Sequence, residues 1–332
     1  MTRAGRGRYA RPVGVVYCGI DEAGYGPMLG PLCVGMAAFR VHGWSPGGGA
    51  PDLWAMLGEA VCKSAKGARA GAIAVADSKV LKGANSLKTK HPLLHLERGV
   101  LAFARAAGHE IDDDEHLFEA IGARHERAPW QAGEPIGVPV GTSAPELAIA
   151  TNVLIKALHK AGVEVLALRC RVVGVGEFNG ELGRSGSKAS TTEIGVREHL
   201  SLVRERWGGE AVRVVCDRQS GRSDYRGLMA RAWGGSVEEL ERSARVSRYG
   251  VGEGVRVQFV PEAESAHFPV ALASMMAKLV RELSMARFNR YWGGRVPELK
   301  PTAGYVQDAR RWLDETRGVV TAEERRAMVR NA

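Results

Sequence analysis

YCGIDEAGYGPMLGP, residues 17–31, places two adjacent carboxylates, Asp21 and Glu22, at the end of an apolar run and follows them with a glycine-rich loop. The preceding run, VGVVYCGI, and the following one, LCVGMAAFRV, both have strand length. Gly24, Gly26, Pro27, Gly30 and Pro31 interrupt the chain between them. A dinucleotide loop needs G-x-G-x-x-G opening a helix. Here Leu29 stands where the third glycine belongs, and Pro27 and Pro31 oppose an immediate helix. The sign of charge also argues against that loop, because Asp21 and Glu22 would face the pyrophosphate. Two carboxylates accept a phosphate nearby only with a cation between them, so a divalent metal is the natural mediator.

Outside this stretch the chain of 332 residues is basic, with a formal net charge of +9. That balance favours an acidic polymer such as nucleic acid as partner. With 45% hydrophobic and 25% charged residues the composition is that of a soluble globular protein. No apolar run approaches the roughly 18 residues of a membrane helix, so no membrane partner is expected. The N-terminal residues 1–12 read as a basic flexible tail without the apolar segment of a secretory signal. Cys18, Cys33, Cys62, Cys170 and Cys216 are scattered without metal-site spacing, which suits reduced core residues of a cytoplasmic protein.

Strand and helix patterns alternate along the rest, which predicts an α/β fold around one central sheet. From about 84 to 165 the pattern is mainly helical, broken by the Pro/Gly-rich RAPWQAGEPIGVPVGTS. VLALRCRVVGVGEF reads as β-rich, TTEIGVREHLSLVRERWG as a helix and EAVRVVCD as a strand ending in Asp217. A charged helix is expected near 236–245, a strand at GVRVQFVPEAE, and a long helix from about Pro269 to Trp292. YVQDARRWLDE and AEERRAMVRNA read as closing helices, and 43–52 as a surface turn.

Further acids follow strand patterns, where α/β proteins keep their sites. Asp217 closes AVRVVCD, Glu264 follows VRVQFVPEA and Asp77 follows GAIAVA. Any one of them alone could be a turn or helix-cap residue. Together with Asp21 and Glu22 such acids would repel one another unless a divalent ion such as Mg²⁺ lay among them. Two such ions about 4 Å apart suit phosphodiester cleavage. Lys79, Lys82, Arg218 and Arg222 lie near these acids in sequence, and Ser274, Lys278 and Arg281 share one helical stripe.

In order along the chain, GIDEAGYGPMLGPLCVGMAAF, DSKVL, VRVVCD, AESAHFPVALASMMAKLVREL and GYVQDARRWL resemble the motifs of type 2 ribonucleases H, that is, ribonucleases HII and HIII. The resemblance spans most of the chain. It implies an RNase H-like fold, a central mixed sheet flanked by helices, over 13–332, with a helical insertion at about 84–165. It also implies a metal-dependent endonuclease that cuts the RNA strand of RNA–DNA hybrids or ribonucleotide-containing DNA. Carried over by position, the catalytic and metal-binding acids are Asp21, Glu22, Asp217 and Glu264. A hydroxide made between Asp21 and Asp217 would attack the phosphorus, with Glu22 and Glu264 holding the metals. Asp77 becomes a structural or substrate-side residue. Lys79, Lys278 and Arg281 would hold phosphates, with Ser274 on their stripe. The amides of 24–26 would contact the ribose 2′-hydroxyl, and Tyr305 would stack on a sugar.

Three departures bear on substrate. Tyr25 stands where the family carries Arg or Lys, TAGY lacks a basic residue before its glycine, and the stretch from Lys82 to about Val165 is long for the family. Tyr25 and the long stretch motivate one alternative, a non-catalytic nucleic-acid-binding protein of the same fold; a nuclease acting on structured DNA is another.

Overall fold

The two apolar runs around the glycine-rich loop form strands β1 (Gly14–Ala23) and β2 (Leu32–His42), paired antiparallel with Asp21 opposite Gly35. The structure is a computed structural model that describes residues 14–44, 49–69, 71–83, 90–219 and 222–331. The expected tail at 1–12 and the middle of the 43–52 turn lie outside those residues. After β2 come helix α1 (Leu53–Leu57), the short parallel strands β3 (Val61–Cys62) and β4 (Ile73–Ala74), and α2 (Ser78–Leu81). Three helices follow, α3 (Leu94–Ala106), α4 (Asp114–Ala120) and α5 (Ala144–Ala161), leading to β5 (Val163–Val173). A Ser143–Glu146 capping box and Gly162 in the left-handed conformation bound α5. Then come α6 (Val175–Ser185), α7 (Lys188–Trp207), β6 (Val212–Asp217), α8 (Arg226–Trp233), and strands β7 (Glu238–Arg242), β8 (Ser247–Val251) and β9 (Val255–Val260). Helices α9 (Phe268–Arg295), α10 (Val306–Glu315) and α11 (Ala322–Met328) complete the chain.

The main sheet has seven strands in the order β5-β2-β1-β6-β9-β8-β7. β6 and β9 run parallel to β1, whereas β2, β5 and β8 pair antiparallel to their neighbours. This is the one central sheet that the alternation of patterns predicts, mixed and flanked by helices as the resemblance implies. One face is covered by α9 and α3 and the other by α7 and α8, each over its own apolar cluster. A third cluster joins the C-terminal half of α9 to α10 and α11 through Trp292 and Trp312.

Two glycines of the opening motif set how closely α9 approaches the sheet. A Cβ on Gly19 would lie 2.1 Å from the Val270 amide nitrogen, and one on Gly35 would lie 2.2 Å from the Ala273 carbonyl oxygen. The backbones of helix and sheet therefore touch, which only glycine permits. That contact brings Ser274 beside Asp21.

The helices of the 84–165 stretch share the core under α9. Leu96, Phe103, Leu117, Ile121, Leu147 and Leu154 join the same buried cluster as Tyr17, Phe39 and Phe268. Arg287 of α9 donates to both carboxylate oxygens of Asp114 at 2.6 Å, and both residues are buried. This bidentate pair fastens α4 to α9.

The charged stretch near 236–245 is a correction. It is the edge strand β7 rather than a helix, with alternately exposed and half-buried residues. Arg248 on β8 pairs across to Glu241 at 3.0 Å. Cross-strand contacts outweigh the helical preference of Glu, Leu and Arg there. Similarly, VGVGEF leaves the β pattern: β5 ends at Val173 and α6 begins at Val175. No helix among the described residues is long and apolar enough to cross a membrane.

Candidate metal centre

β1 and β6 lie side by side and parallel, with Ile20 opposite Cys216, so Asp21 and Asp217 leave neighbouring strands at the same level. Strand alternation turns Asp21 toward α9 and Glu22 toward α7. At the sheet edge the two reconverge: one carboxylate oxygen from each of Asp21, Glu22 and Asp217 lies within 4.8 Å of the others. The Asp217 carboxylate accepts the Ala263 amide at 3.0 Å, which docks the turn at Ala263–Ser265 against it. Glu264, in that turn, stands outside the tight group but within its field. Its Oε2 is buried and has no hydrogen-bond partner.

Mutual repulsion and burial shape the charge of the site. Asp21 is pushed well above the ordinary aspartate range by burial, then by Glu22 and Asp217, while the Ser274 hydroxyl favours its ionised form. Glu22 is raised to about 7 by burial and by Asp217, with Lys79 opposing. Asp217 and Glu264 are also raised by burial, and Lys79 lowers both. The exposed Lys79 ammonium is therefore the cation that the acids feel. A buried, unpartnered carboxylate oxygen beside three close carboxylates is the hard oxygen donor set that Mg²⁺ or Mn²⁺ takes, so these residues fit a divalent cation.

Ser274 is buried and shares a 3.0 Å hydroxyl–hydroxyl hydrogen bond with Ser78, linking α9 to α2. Asp77 caps α2 by accepting the Lys79 amide at 2.8 Å, the helix-cap role that an acid at such a position often has. Lys278 is buried and paired with Glu282 at 3.0 Å, with its ammonium 6.0 Å from the centre of the Tyr305 ring. Tyr305 itself is exposed. The loop at 24–26 opens outward, and a side chain on Gly26 would meet nothing within 4 Å.

Arg281 occupies a place that its sequence position does not suggest. It is almost wholly buried and donates to the carbonyls of Pro31, Leu29 and Ala303 at 3.0, 3.3 and 2.8 Å. Its guanidinium is thus committed to joining the glycine-rich loop to the segment before Tyr305. The amides of Met28 and Leu29 bond the Gly304 carbonyl across the same seam.

Two residues beside this loop carry no sequence signal. Arg330 donates to the Gly24 carbonyl at 2.6 Å, and burial together with Arg281 lowers its pKa to about 9. Lys188 places its ammonium 5.1 Å from the centre of the Tyr25 ring. A cation therefore stands at Tyr25 although the loop itself carries none. Both residues are remote from the loop in sequence, and only a contact map would have found them.

No family model matches the chain, and no curated protein matches it. Among solved structures it is similar to a chain of the PCNA:RNase HII complex from Archaeoglobus fulgidus, at TM-score 0.42 and 17% identity, over 95% of this chain and 94% of that one. It is also similar to Bst-RNase HIII in complex with Mn²⁺, at TM-score 0.41 and 16% identity over 97% and 68% of the two chains. Aquifex aeolicus RNase H3 matches at TM-score 0.38 and 13% identity, over 94% and 70%. At such scores and identities the likeness decides nothing about chemistry, which rests on this chain's own residues.

Proposed function

We propose that this chain is a metal-dependent endonuclease of the type 2 ribonuclease H kind, cutting the RNA strand of RNA–DNA hybrids. The observation that carries this reading is the convergence of Asp21, Glu22 and Asp217 within 4.8 Å, with Glu264 in their field. A protein that only binds nucleic acid has no use for carboxylates that repel both one another and phosphate. Divalent cations held there, two of Mg²⁺ or Mn²⁺, would supply the Lewis acidity that activates water and stabilises the leaving oxygen.

The chain's own groups do the rest. Asp21 and Asp217 present oxygens from two rigid parallel strands, and Ser274 partly offsets the burial and repulsion that disfavour the ionised form of Asp21. Glu22 and Glu264 close the donor set from the two sides. Lys79 offsets the acids' charge and offers an exposed ammonium to the phosphate being cut. The backbone of 24–26 offers amides to a ribose hydroxyl, and exposed Tyr305 a ring for a sugar. Arg281 acts as a positioning residue, holding those two segments together. Cytoplasmic action on hybrids, or on DNA that carries ribonucleotides, belongs to the same proposal.

The test uses the full chain with a labelled RNA–DNA hybrid and Mg²⁺ or Mn²⁺. Cleavage is expected in the wild type, with Asp21→Asn lowering kcat by about a thousandfold or more, as when a group central to transition-state stabilisation is removed. Intact cleavage in Asp21→Asn overturns the assignment. A mobility shift without cleavage in the wild type would favour the binding-only reading that Tyr25 motivates.

A further inference from the structure

Away from the acids, a groove of about 710 Å³ lies between β5, α7 and the chain that follows α4. Arg124, Arg169, Arg171 and Arg197 line it. Arg171 is neutralised by Glu177 at 2.7 Å and Glu198 at 2.8 Å. Arg169 is not: burial, Arg206 and Arg124 all press its pKa below the ordinary arginine value. Among the described residues the side chains of Arg124, Arg169, Arg197 and Arg206 make no hydrogen bond or ion pair. Acid-free arginines also occur singly elsewhere, as at Arg127, Arg245 and Arg310, whereas Arg231, Arg248 and Arg311 pair with Glu193, Glu241 and Glu315 at 2.7, 3.0 and 2.6 Å. The groove differs in gathering several of them in one place.

Glu198 and Glu205 line the groove too, so four guanidiniums face two carboxylates, one of which is taken by Arg171. Contact between sheet and α7 is made by Ala167, Val196 and Leu200. The chain after α4 is instead shaped around Arg169: Gly122 is left-handed at φ 67°, and a Cβ there would lie 3.0 Å from Arg169 Nη1. The groove is also separate from the acids. Asp21, Gly35 and Cys170 lie in register across three strands, which puts Arg169 and Arg171 two strands from Asp21. At about 4.8 Å per strand that is roughly 10 Å. Strand alternation turns these arginines to the α7 side of the sheet, the side Glu22 also faces, with Glu22, Val34 and Arg171 in register across the same two strands.

We propose that this groove binds the phosphodiester backbone of a nucleic acid strand, as a contact outside the acid cluster. Planar guanidiniums without acid partners match phosphate oxygens pairwise. Naming nucleic acid among polyanions rests on the proposed function. One wall comes from the chain after α4, so the 84–165 stretch takes part in holding substrate.

The test compares Arg124→Gln/Arg169→Gln/Arg197→Gln with its parent, both full chains carrying Asp21→Asn so that a labelled RNA–DNA hybrid stays intact. Binding is followed by fluorescence anisotropy across a salt series. The triple variant should bind about 10- to 100-fold more weakly near 0.1 M salt, and its log K against log salt slope should be smaller by about 2–3, at roughly 0.9 per phosphate contact. An unchanged slope overturns the groove, while cleavage by the wild type would leave the proposed function standing. A reduced slope with no wild-type cleavage does the reverse, and no binding by either protein overturns both. In a second arm, tripolyphosphate stabilises the folded protein against heat. If the triple variant loses that stabilisation but keeps the hybrid slope, the groove serves small phosphates and the proposal fails. Should the triple variant not fold, Arg124→Gln alone, an exposed change, is expected to lower the slope by about one, and an unchanged slope again overturns the groove.

Discussion

Glu22 titrates near 7 in the folded chain against an ordinary 4.5, and Asp21 is raised in the same direction from 3.8. A carboxyl group whose pKa is raised on folding stabilises the protein fully below its ordinary pKa. That stabilisation is lost as pH rises through the folded value. Metal-free protein should therefore lose melting temperature from about pH 5 to pH 8, and Asp21→Asn, which removes one of the interacting carboxylates, should flatten that loss. Added Mg²⁺ should stabilise the wild type more at the upper end of the range. Equal pH profiles for wild type and Asp21→Asn would show that these acids do not share one field. At this scale Asp21, Glu22 and Asp217, which the structure brings within 4.8 Å of one another, could be picked out because they close strand patterns, whereas Glu264 follows one and stands outside that group. Arg281 was misleading: its helical stripe suggested phosphate, but burial turned it to three backbone carbonyls. Periodicity gives the face of a helix and not what that face meets.

The elements were legible wherever hydrophobic periodicity was strong, as in β1, β2, β6 and α9. β7 was not, because its charged residues suit a helix and only pairing with β8 makes it a strand. The join between α4 and α9 was equally hidden, since Asp114 and Arg287 are 173 residues apart. Arg287→Met would leave Asp114 buried and unpaired, costing about 3–5 kcal/mol. Arg287→Met with Asp114→Leu should recover most of that, since apolar replacements of a buried pair are often neutral. Urea melts of the two single variants and the double variant measure the difference. Additive losses in the double variant would mean that the pair does not act as a unit.

The whole molecule shows why the 84–165 stretch is more than an appendage. Leu96, Val100, Leu101, Phe103, Ile111, Leu117, Ile121, Leu147 and Leu154 all enter the core under α9. At about 1.5–3 kcal/mol for each buried side chain, their burial is a gross contribution at least as large as most of the roughly 5–15 kcal/mol of net stability a domain has. A chain in which a short linker replaces 90–161 should show no cooperative melt by circular dichroism. A cooperative melt would make the stretch a separable unit. By itself the amino-acid sequence determined what is local: strand-length apolar runs, the break at the glycine-rich loop, and acids at strand ends whose charge calls for a cation. Only the tertiary structure decided which acids share a centre, where Arg281 and Arg330 turn, and that Arg124 meets Arg169 in one groove. The reason is physical. Propensity and periodicity act over a few neighbouring residues, whereas burial, field strength and hydrogen-bond partners are set by residues brought together from distant parts of the chain.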